Sequence, residues 1–299
     1  MQTLELLRRK IQSAEDLHTI VKTMKTLAAI NVRHYEEAVE AVSDYYRTVE
    51  MGLQVVLQKG EVEVVSKISG REKTAGCVVV FGSDHGLCGG FNSQIVSYAL
   101  ESMYGESITH ERYVLLCVGM RAAELIEEEG HPIEEIFPVP VSHSDLVDTG
   151  YNIVTTLNSL KVEGKITNVV LFHHKLLSSI SCKPQKTHLL PLDREWLHTL
   201  SEKKWPSRII PTFTMERNTL FSALVRQYIF VLLYRALAES MASENASRLS
   251  SMQTAEKNIK ETIEELNMFY RHQYQTTITE ELLDIVAGFE ALQSEGKRF

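Results

Sequence analysis

Proline and glycine are missing from both ends of this chain. Residues 1–58 hold no proline and only Gly52, and residues 212–292 hold no proline and, until Gly288, no glycine. Proline removes a backbone donor and glycine costs backbone entropy, so both ends are free to run as uninterrupted helices. Cysteine is scarce: Cys77, Cys88, Cys117 and Cys182 are the four, with no C-x-x-C pair. Three sit in or beside apolar runs, which reads as reduced core residues in a cytosolic compartment. Net positive charge is lacking too, and a formal −8 argues against a nucleic-acid partner recruited by bulk charge. No apolar run approaches the ~20 residues a membrane span requires. Met1 to Lys10 carries charge with no apolar stretch behind it, unlike a secretory signal. What remains, 299 residues with 44% hydrophobic and 23% charged, suits one large or two ordinary soluble domains.

The stretch Thr212 to Leu292 repeats apolar residues three and four apart: Phe221, Leu224, Tyr228, Val231, then Ile259, Ile263, Leu266, Tyr270, then Ile278, Leu282, Ile285, Phe289, Leu292. That spacing places a stripe on one helix face, and an unbroken helix of this length reaches roughly 120 Å. A compact domain has no use for such a rod, so it must find a partner along its flank. The N-terminal stretch to Gln58 supplies one. Its heptad rows read Leu4, Ile11, His18, Lys25, Val32, Val39, Tyr46, Leu53 and Leu7, Ala14, Val21, Ala28, Tyr35, Val42, Val49, Val56. His18 and Lys25 interrupt the first row, and Leu17, Ile20, Met24 and Leu27 are expected to carry the stripe there by a one-residue shift of the seam.

Between the rods the period changes. Cys77 to Phe81, Tyr113 to Val118 and Ile166 to Phe172 are short apolar runs that read as buried strands. Helical segments follow or separate them, at Phe91 to Tyr104, Met120 to Glu129 and Asp145 to Leu160. The alternation implies an open α/β, Rossmann-like domain with a mainly parallel sheet. Ile180 to Leu190 is expected to add a polar edge strand. Pro184 to Pro211, with four of the seven prolines, reads as a loop region returning to the rod. The expected division is a helix over 1–58, an α/β domain over 74–192 and a helix over 212–292.

The candidate chemistry is thin. The turn Gly82 to Asn92 has four glycines between a strand and a helix, where phosphate loops sit, but matches neither G-x-x-x-x-G-K-[ST] nor G-x-G-x-x-G. A tight turn needing positive φ and close packing accounts for it better. Asp84, His85 and Cys88 offer a thiol beside an imidazole, with nothing in sequence to orient them. His173 and His174 adjoin in a strand and so point to opposite faces, and no cysteine or acid stands at metal spacing. Charge says more. Residues 1–33 carry Arg8, Arg9, Lys10, Lys22, Lys25 and Arg33 against three acids, whereas residues 34–63 reverse the balance with Glu36, Glu37, Glu40, Asp44, Glu50, Glu61 and Glu63. This is either a solvated face or a basic collar toward an acidic partner.

Three segments together resemble the gamma subunit of F-type ATP synthases, the central rotor stalk, as a divergent member. Leu7 to Val32 is similar to its first coiled-coil helix, with Lys22, Met24, Leu27, Ala28 and Ala29 at K-x-M-x-x-V-A-A. The turn motif Ser83, Asp84, His85, Gly86, Leu87, Cys88, Gly89, Gly90, Phe91, Asn92 is similar to S-D-R-G-L-C-G-G-x-N. Ala242 to Leu249 with Ile278 to Gly288 resembles the signature of the last helix. The resemblance implies an antiparallel coiled coil turning inside a hexamer of alternating alpha and beta subunits, one copy per hexamer. The α/β domain would stand as a foot against the epsilon subunit and the membrane c-ring. It implies no catalytic residue, cofactor, metal or membrane span of its own, and a place at the cytoplasmic face of the bacterial inner membrane. Lys22, Met24, Lys25, Arg248, Gln275, Thr279 and Asp284 fall at rotor–stator contacts, and Leu282, Ile285, Phe289 and Leu292 at an apolar shaft tip. The departures are His18 in the segment before Lys22, His85 for arginine, and His272 to Gln275 in place of K-A-R-Q, with two positive charges lost. They imply altered salt bridging to the stator. Two other readings remain at this point: a soluble α/β anion- or nucleotide-binding protein with coiled-coil dimerisation arms, and a coiled-coil scaffold.

Overall fold

The structure, a computed structural model, describes residues 4–58, 75–105, 113–178 and 181–296. Its elements are α1 (Leu4–Gln58), β1 (Ala75–Phe81), α2 (Phe91–Gly105), β2 (Tyr113–Val118), α3 (Met120–Glu128), β3 (Glu135–Phe137), α4 (His143–Val162), β4 (Ile166–Ser178), β5 (Ser181–Leu190), α5 (Arg194–Glu202) and α6 (Arg217–Gly296). Lys59, Glu61, Glu63 and Ile180, all used above, lie outside the described residues. The chain divides into two compact units, Met1–Leu27 with Ser251–Phe299, and Ala28–Ser250.

The larger unit is built on a five-stranded sheet of order β3-β2-β1-β4-β5. β1 pairs in parallel with β2 and β4, β2 in parallel with β3, and β5 runs antiparallel along β4. Alternation explains the unbroken apolar runs. Cys77, Val79 and Phe81 of β1 face one core with Leu116, Val118, Val169 and Leu171, closed by α4 and α6. Val78 and Val80 face the other with Leu115, Cys117 and Phe172, closed by α2 and α3. A strand covered on both faces needs apolar residues at every position. The lower part of α1 runs antiparallel to the start of α6: Asn31 Nδ2 donates to Asn245 Oδ1 at 3.3 Å, the Tyr46 and Tyr228 hydroxyls lie 3.4 Å apart, and Arg217 Nε donates to the Val56 carbonyl at 3.2 Å.

Two elements were not expected. Residues 194–202, inside the supposed loop, form α5. Asp193 caps it by accepting from Glu195 N at 2.9 Å, and Gln58 Nε2, at 3.1 Å, and the buried Gln54 both donate to the Lys203 carbonyl at its end. Leu197 and Leu200 bury its inner face. The strand β3 is three residues long and lies at the sheet edge, too short to show a period. The expectation about apolar length also needs adjusting. One 18-residue window of α6 has a mean hydropathy of 1.4, enough by length and composition to cross a membrane. From Asn218 to Ala238 α6 carries only Arg226 and Arg235. One side of this charge-poor part packs on the sheet, with Val231, Leu233, Ala236 and Leu237 buried, although a third of the window in all is buried.

In the smaller unit α1 keeps its heptad rows without a shift. Leu7 and Val21 are buried, and Ile11, Ala14, His18 and Lys25 are half-buried. Leu17, Ile20 and Leu27, expected to take over the seam, are instead 50%, 54% and 56% exposed. The physical reason is Glu256 of α6. Its carboxylate meets Lys25 Nζ and lies 3.8 Å from His18 Nε2, so two polar residues can hold seam positions.

Gly119, between β2 and α3, has φ 102°, and a Cβ there would stand 2.7 Å from Ser83 backbone atoms. Gly130 has φ 85° with open space around it. Gly130→Ala should therefore cost about 1–2 kcal/mol from backbone conformation alone. Gly119→Ala should cost clearly more, because backbone must also move. Urea unfolding of the two variants, showing equal losses, would remove the steric argument.

Candidate functional site

The turn after β1 and the signature stretch of α6 are brought together inside the larger unit. Within the turn, Ser83 N donates to Asn92 Oδ1 at 2.9 Å and Asn92 Nδ2 donates to Ser83 Oγ at 2.7 Å. Ser83 Oγ in turn donates to the His85 carbonyl at 2.8 Å. The first backbone N–H that an anion would use is thus already taken by the Asn92 carboxamide. Gly89 has φ 60° and Leu87 φ 61°, so the turn needs left-handed backbone at two places. A Cβ on Gly82 would fall 2.1 Å from the Ala122 Cβ. Gly82 thus serves close packing and Gly89 the left-handed backbone, whereas Gly86 has open space around it.

Asp84 ties this turn to its neighbours. Its Oδ1 accepts from Met120 N at 2.9 Å, where the carboxylate also faces the positive end of α3, and its Oδ2 accepts from Val139 N at 3.1 Å. Cys88 is buried at 2% exposure, and burial pushes its thiol pKa up, against a thiolate nucleophile. Its sulfur contacts Ser83 Oγ at 3.7 Å and Asn92 Nδ2 at 3.6 Å. Cys77 and Cys117 are fully buried and pushed up to about 12 by desolvation. His173 and His174 point to opposite sides of β4. His173 turns to Glu239 at 3.5 Å and to Thr187 Oγ1 at 3.2 Å, while His174 stacks on Phe91 with centroids 4.3 Å apart. Burial holds both imidazoles below their ordinary pKa, His174 at about 4.

On α6, Ser247 Oγ donates to the Cys88 carbonyl at 2.6 Å and Ser240 Oγ to the Phe81 carbonyl at 3.4 Å, so the two motifs meet directly. Glu244 lies between them. Its side chain is 5% exposed, and Arg248 Nη2 donates to its Oε1 at 2.6 Å. Burial raises the Glu244 pKa and Arg248 opposes that shift. Arg248, expected to reach toward a stator, is thus held along its own helix with 17% of its side chain exposed.

The smaller unit carries the other expected contacts. Lys22 is exposed and Met24 half-buried, whereas Lys25 turns to Glu256 in the seam. Lys260 Nζ donates to the other oxygen of Glu256 at 3.0 Å. These hydrogen bonds, Lys25 first, hold the Glu256 carboxyl down to about 2. Sequence reasoning passed over Glu256, although its i, i+4 spacing to Lys260 is visible. Gln275, Thr279 and Asp284 are all exposed, with Thr279 Oγ1 donating to the Gln275 carbonyl at 2.8 Å. Every described side chain from Ile278 to Gly288 is exposed, including Leu282 at 57% and Ile285 at 68%. The side chains of Phe289 and Leu292 lie outside the described residues.

A family model described as ATP synthase matches residues 3–292. The ATP synthase gamma chain of Thermosynechococcus vestitus is 30% identical, covering 98% of this chain and 100% of the relative. That of Synechococcus sp. (strain ATCC 27144) is 31% identical over 98% and 99%. Among solved structures, the rotor of Euglena gracilis mitochondrial ATP synthase aligns with a TM-score of 0.64 at 16% identity, over 92% of this chain and 98% of that one. The central stalk and c-ring structure of Tetrahymena thermophila mitochondrial ATP synthase aligns at 0.58 and 23% identity, over 79% and 99%. The two structural likenesses establish the fold.

Removing one partner of a buried ion pair leaves the other charge unanswered, so Arg248→Ala should destabilise the chain by about 3 kcal/mol. Adding Glu244→Gln to that variant should recover much of the loss, because no carboxylate then remains to be desolvated. Urea unfolding of single and double variants decides it; purely additive losses would show that the pair is not coupled. For Glu256 the sign runs the other way with pH. Its folded pKa lies below the ordinary value of about 4.3. Its stabilising contribution is therefore full above that value and disappears as pH falls toward 2. Melting temperatures of the protein and of Glu256→Gln should differ at pH 7 and converge between about pH 4.5 and 2. A gap that does not change with pH would contradict the assignment.

Proposed function

The chain belongs to the ATP synthase gamma-chain family, part of a rotary ATPase, and from that premise we propose that it works as the non-catalytic central shaft of the complex. One copy turns inside a hexamer of alpha and beta subunits, at the cytoplasmic face of the bacterial inner membrane. The α/β region, residues 74–192, acts as the foot against the epsilon subunit and the c-ring. Residues 1–58 and 212–292 act as the shaft. Ion flow through the ring turns the foot, and the shaft then presents a different flank to each beta subunit in turn. Coupling of this kind needs only that each flank favour a different stator conformation, a shift of populations rather than chemistry by the shaft itself.

The observation that carries this reading is the exposed end of α6. Ile278, Leu282, Leu283, Ile285 and Val286 are 38–68% exposed on one helix, and no other described part of the chain covers them. Apolar residues in such number call for surroundings. A largely apolar sleeve supplies them without directional bonds that would break at each step. Lys22 and Met24 on α1 would meet a beta-subunit loop, and Gln275, Thr279 and Asp284 on α6, all exposed, would make the second contact. Arg248, paired with Glu244 on its own helix, is left out of this contact. The turn Gly82 to Asn92, filled by Asn92, lends no support to the nucleotide-binding alternative.

Reconstitution tests the proposal. The purified chain mixed with alpha and beta subunits of the same source should bind as one copy per hexamer, and ATP hydrolysis should depend on it. Truncation after Gln275 should leave the foot folded and weaken coupling or assembly. A homodimer indifferent to the hexamer would overturn the reading.

A further inference from the structure

A cavity of about 640 Å³ opens in the larger unit between α4, the β5–α5 connection and the first turns of α6. Its volume is that of a small-molecule site. Val154, Leu157, Leu197, Phe221 and Val225 make its floor and walls, and the first four are less than 9% exposed. Its rim is cationic, with Lys161, Arg194 and Arg226 against the single acid Asp193, in a protein whose formal charge is −8. Asp193 Oδ1 already accepts from Glu195 N at 2.9 Å as the cap of α5. Among the described residues, the side chains of Lys161 and Arg226 have no ion-pair partner. An apolar floor with two unanswered cations at its mouth is half of a complementary pair.

We propose that this cavity binds a single-chain amphipathic anion, its alkyl chain lying on Leu157, Phe221 and Val225 and its head group paired with Lys161 and Arg226. A neutral apolar guest would leave the cations unused, and a free inorganic anion would leave the apolar walls wet. Only a molecule with both parts satisfies both. The head group is an oxyanion, carboxylate or phosphate, since either accepts charge-assisted hydrogen bonds from arginine and lysine. The site shares no residue with the shaft contacts, so it stands or falls independently of the rotary reading.

Calorimetric titration of the full chain with dodecanoate, dodecyl phosphate and dodecanol, each below its micellar or solubility limit, tests this. One equivalent of at least one anion should bind, at least about tenfold more tightly than dodecanol. Shortening the chain from dodecanoate to decanoate should weaken binding by about fourfold per methylene while the tail is in contact. The double variant Lys161→Gln/Arg226→Gln, altered only at exposed positions, should lose about tenfold for the anion and leave dodecanol unchanged. A preference between the two anions assigns the head group as carboxylate or phosphate. No saturable binding of either anion, equal binding of dodecanol, or an unaffected double variant would each overturn the proposal.

Discussion

A carboxylate taken out of water has to be answered by a cation, and α6 carries three that are. Glu239 is met by Arg235 at 2.9 Å, Glu244 by Arg248 at 2.6 Å, and Glu256 by Lys260 at 3.0 Å, each pair one turn apart on the same helix. Pairing at i, i+4 keeps each cation beside its acid whatever the surroundings do. Each acid can then face inward. Glu239 reaches His173 of β4, Glu244 sits beneath the turn that follows β1, and Glu256 takes Lys25 and His18 from α1. An apolar stripe alone would let a long helix slide by a turn against its neighbour. Glu239 against His173 and Glu256 against Lys25 each disfavour such a slide, the role that a polar residue plays at a single position of a coiled coil.

The same pairing explains where sequence reasoning succeeded and where it did not. β1, β2 and the first half of β4 were legible because they are buried on both faces, so composition alone marks them, and the heptads of α1 were legible because one face of the helix is buried along most of its length. The behaviour of His18 and Lys25 was not legible. Their partner lies more than two hundred residues away, and without it two polar residues in a seam look like a break. The expected shift to Leu17, Ile20 and Leu27 followed from that missing partner. α5 was hidden by the prolines around it, yet Asp193 as a cap and the three-residue spacing of Leu197 and Leu200 were there to be read. The turn motif was recognisable as a unit; its attachment to Ser247 and Ser240 required the fold.

The correction at the seam has a functional consequence. With Lys25 and His18 turned inward, Leu17, Ile20, Leu27 and Ile30 are left about half exposed on α1. The basic collar read from the sequence thus loses Lys25 and keeps Arg8, Arg9, Lys10, Lys22 and Arg33 on the surface. Thr23, Thr26 and Asn31 are exposed between Lys22 and Arg33, so apolar and polar side chains alternate there. On α6 large apolar residues are exposed as well, from Met268 and Phe269 through Ile278 to Val286, among exposed charges that include Arg271, Glu280, Glu281 and Asp284. Water disfavours these apolar side chains, and no described part of the chain covers them.

A rotating part imposes an unusual requirement on such a surface: it must be held by its surroundings equally well in several orientations. Charge-assisted hydrogen bonds are directional and strong once desolvated, so each would add a barrier to leaving its orientation. Contact between apolar surfaces scales with area and has little directional preference. Outward leucine and isoleucine side chains, with the ion pairs of Glu244 and Glu256 turned inward, go part of the way toward both demands. The Glu256–Lys25 pair crosses from α6 to α1 and resists slippage of one helix past the other, whereas the Glu244–Arg248 pair stays within α6. The exterior of the smaller unit is mixed: Leu17, Ile20, Leu282 and Ile285 stand beside exposed charges that include Arg8, Arg9, Lys22, Arg271, Glu280, Glu281 and Asp284. Such a surface combines apolar area, whose contacts tolerate rotation, with separate charges that favour particular orientations toward a charged neighbour.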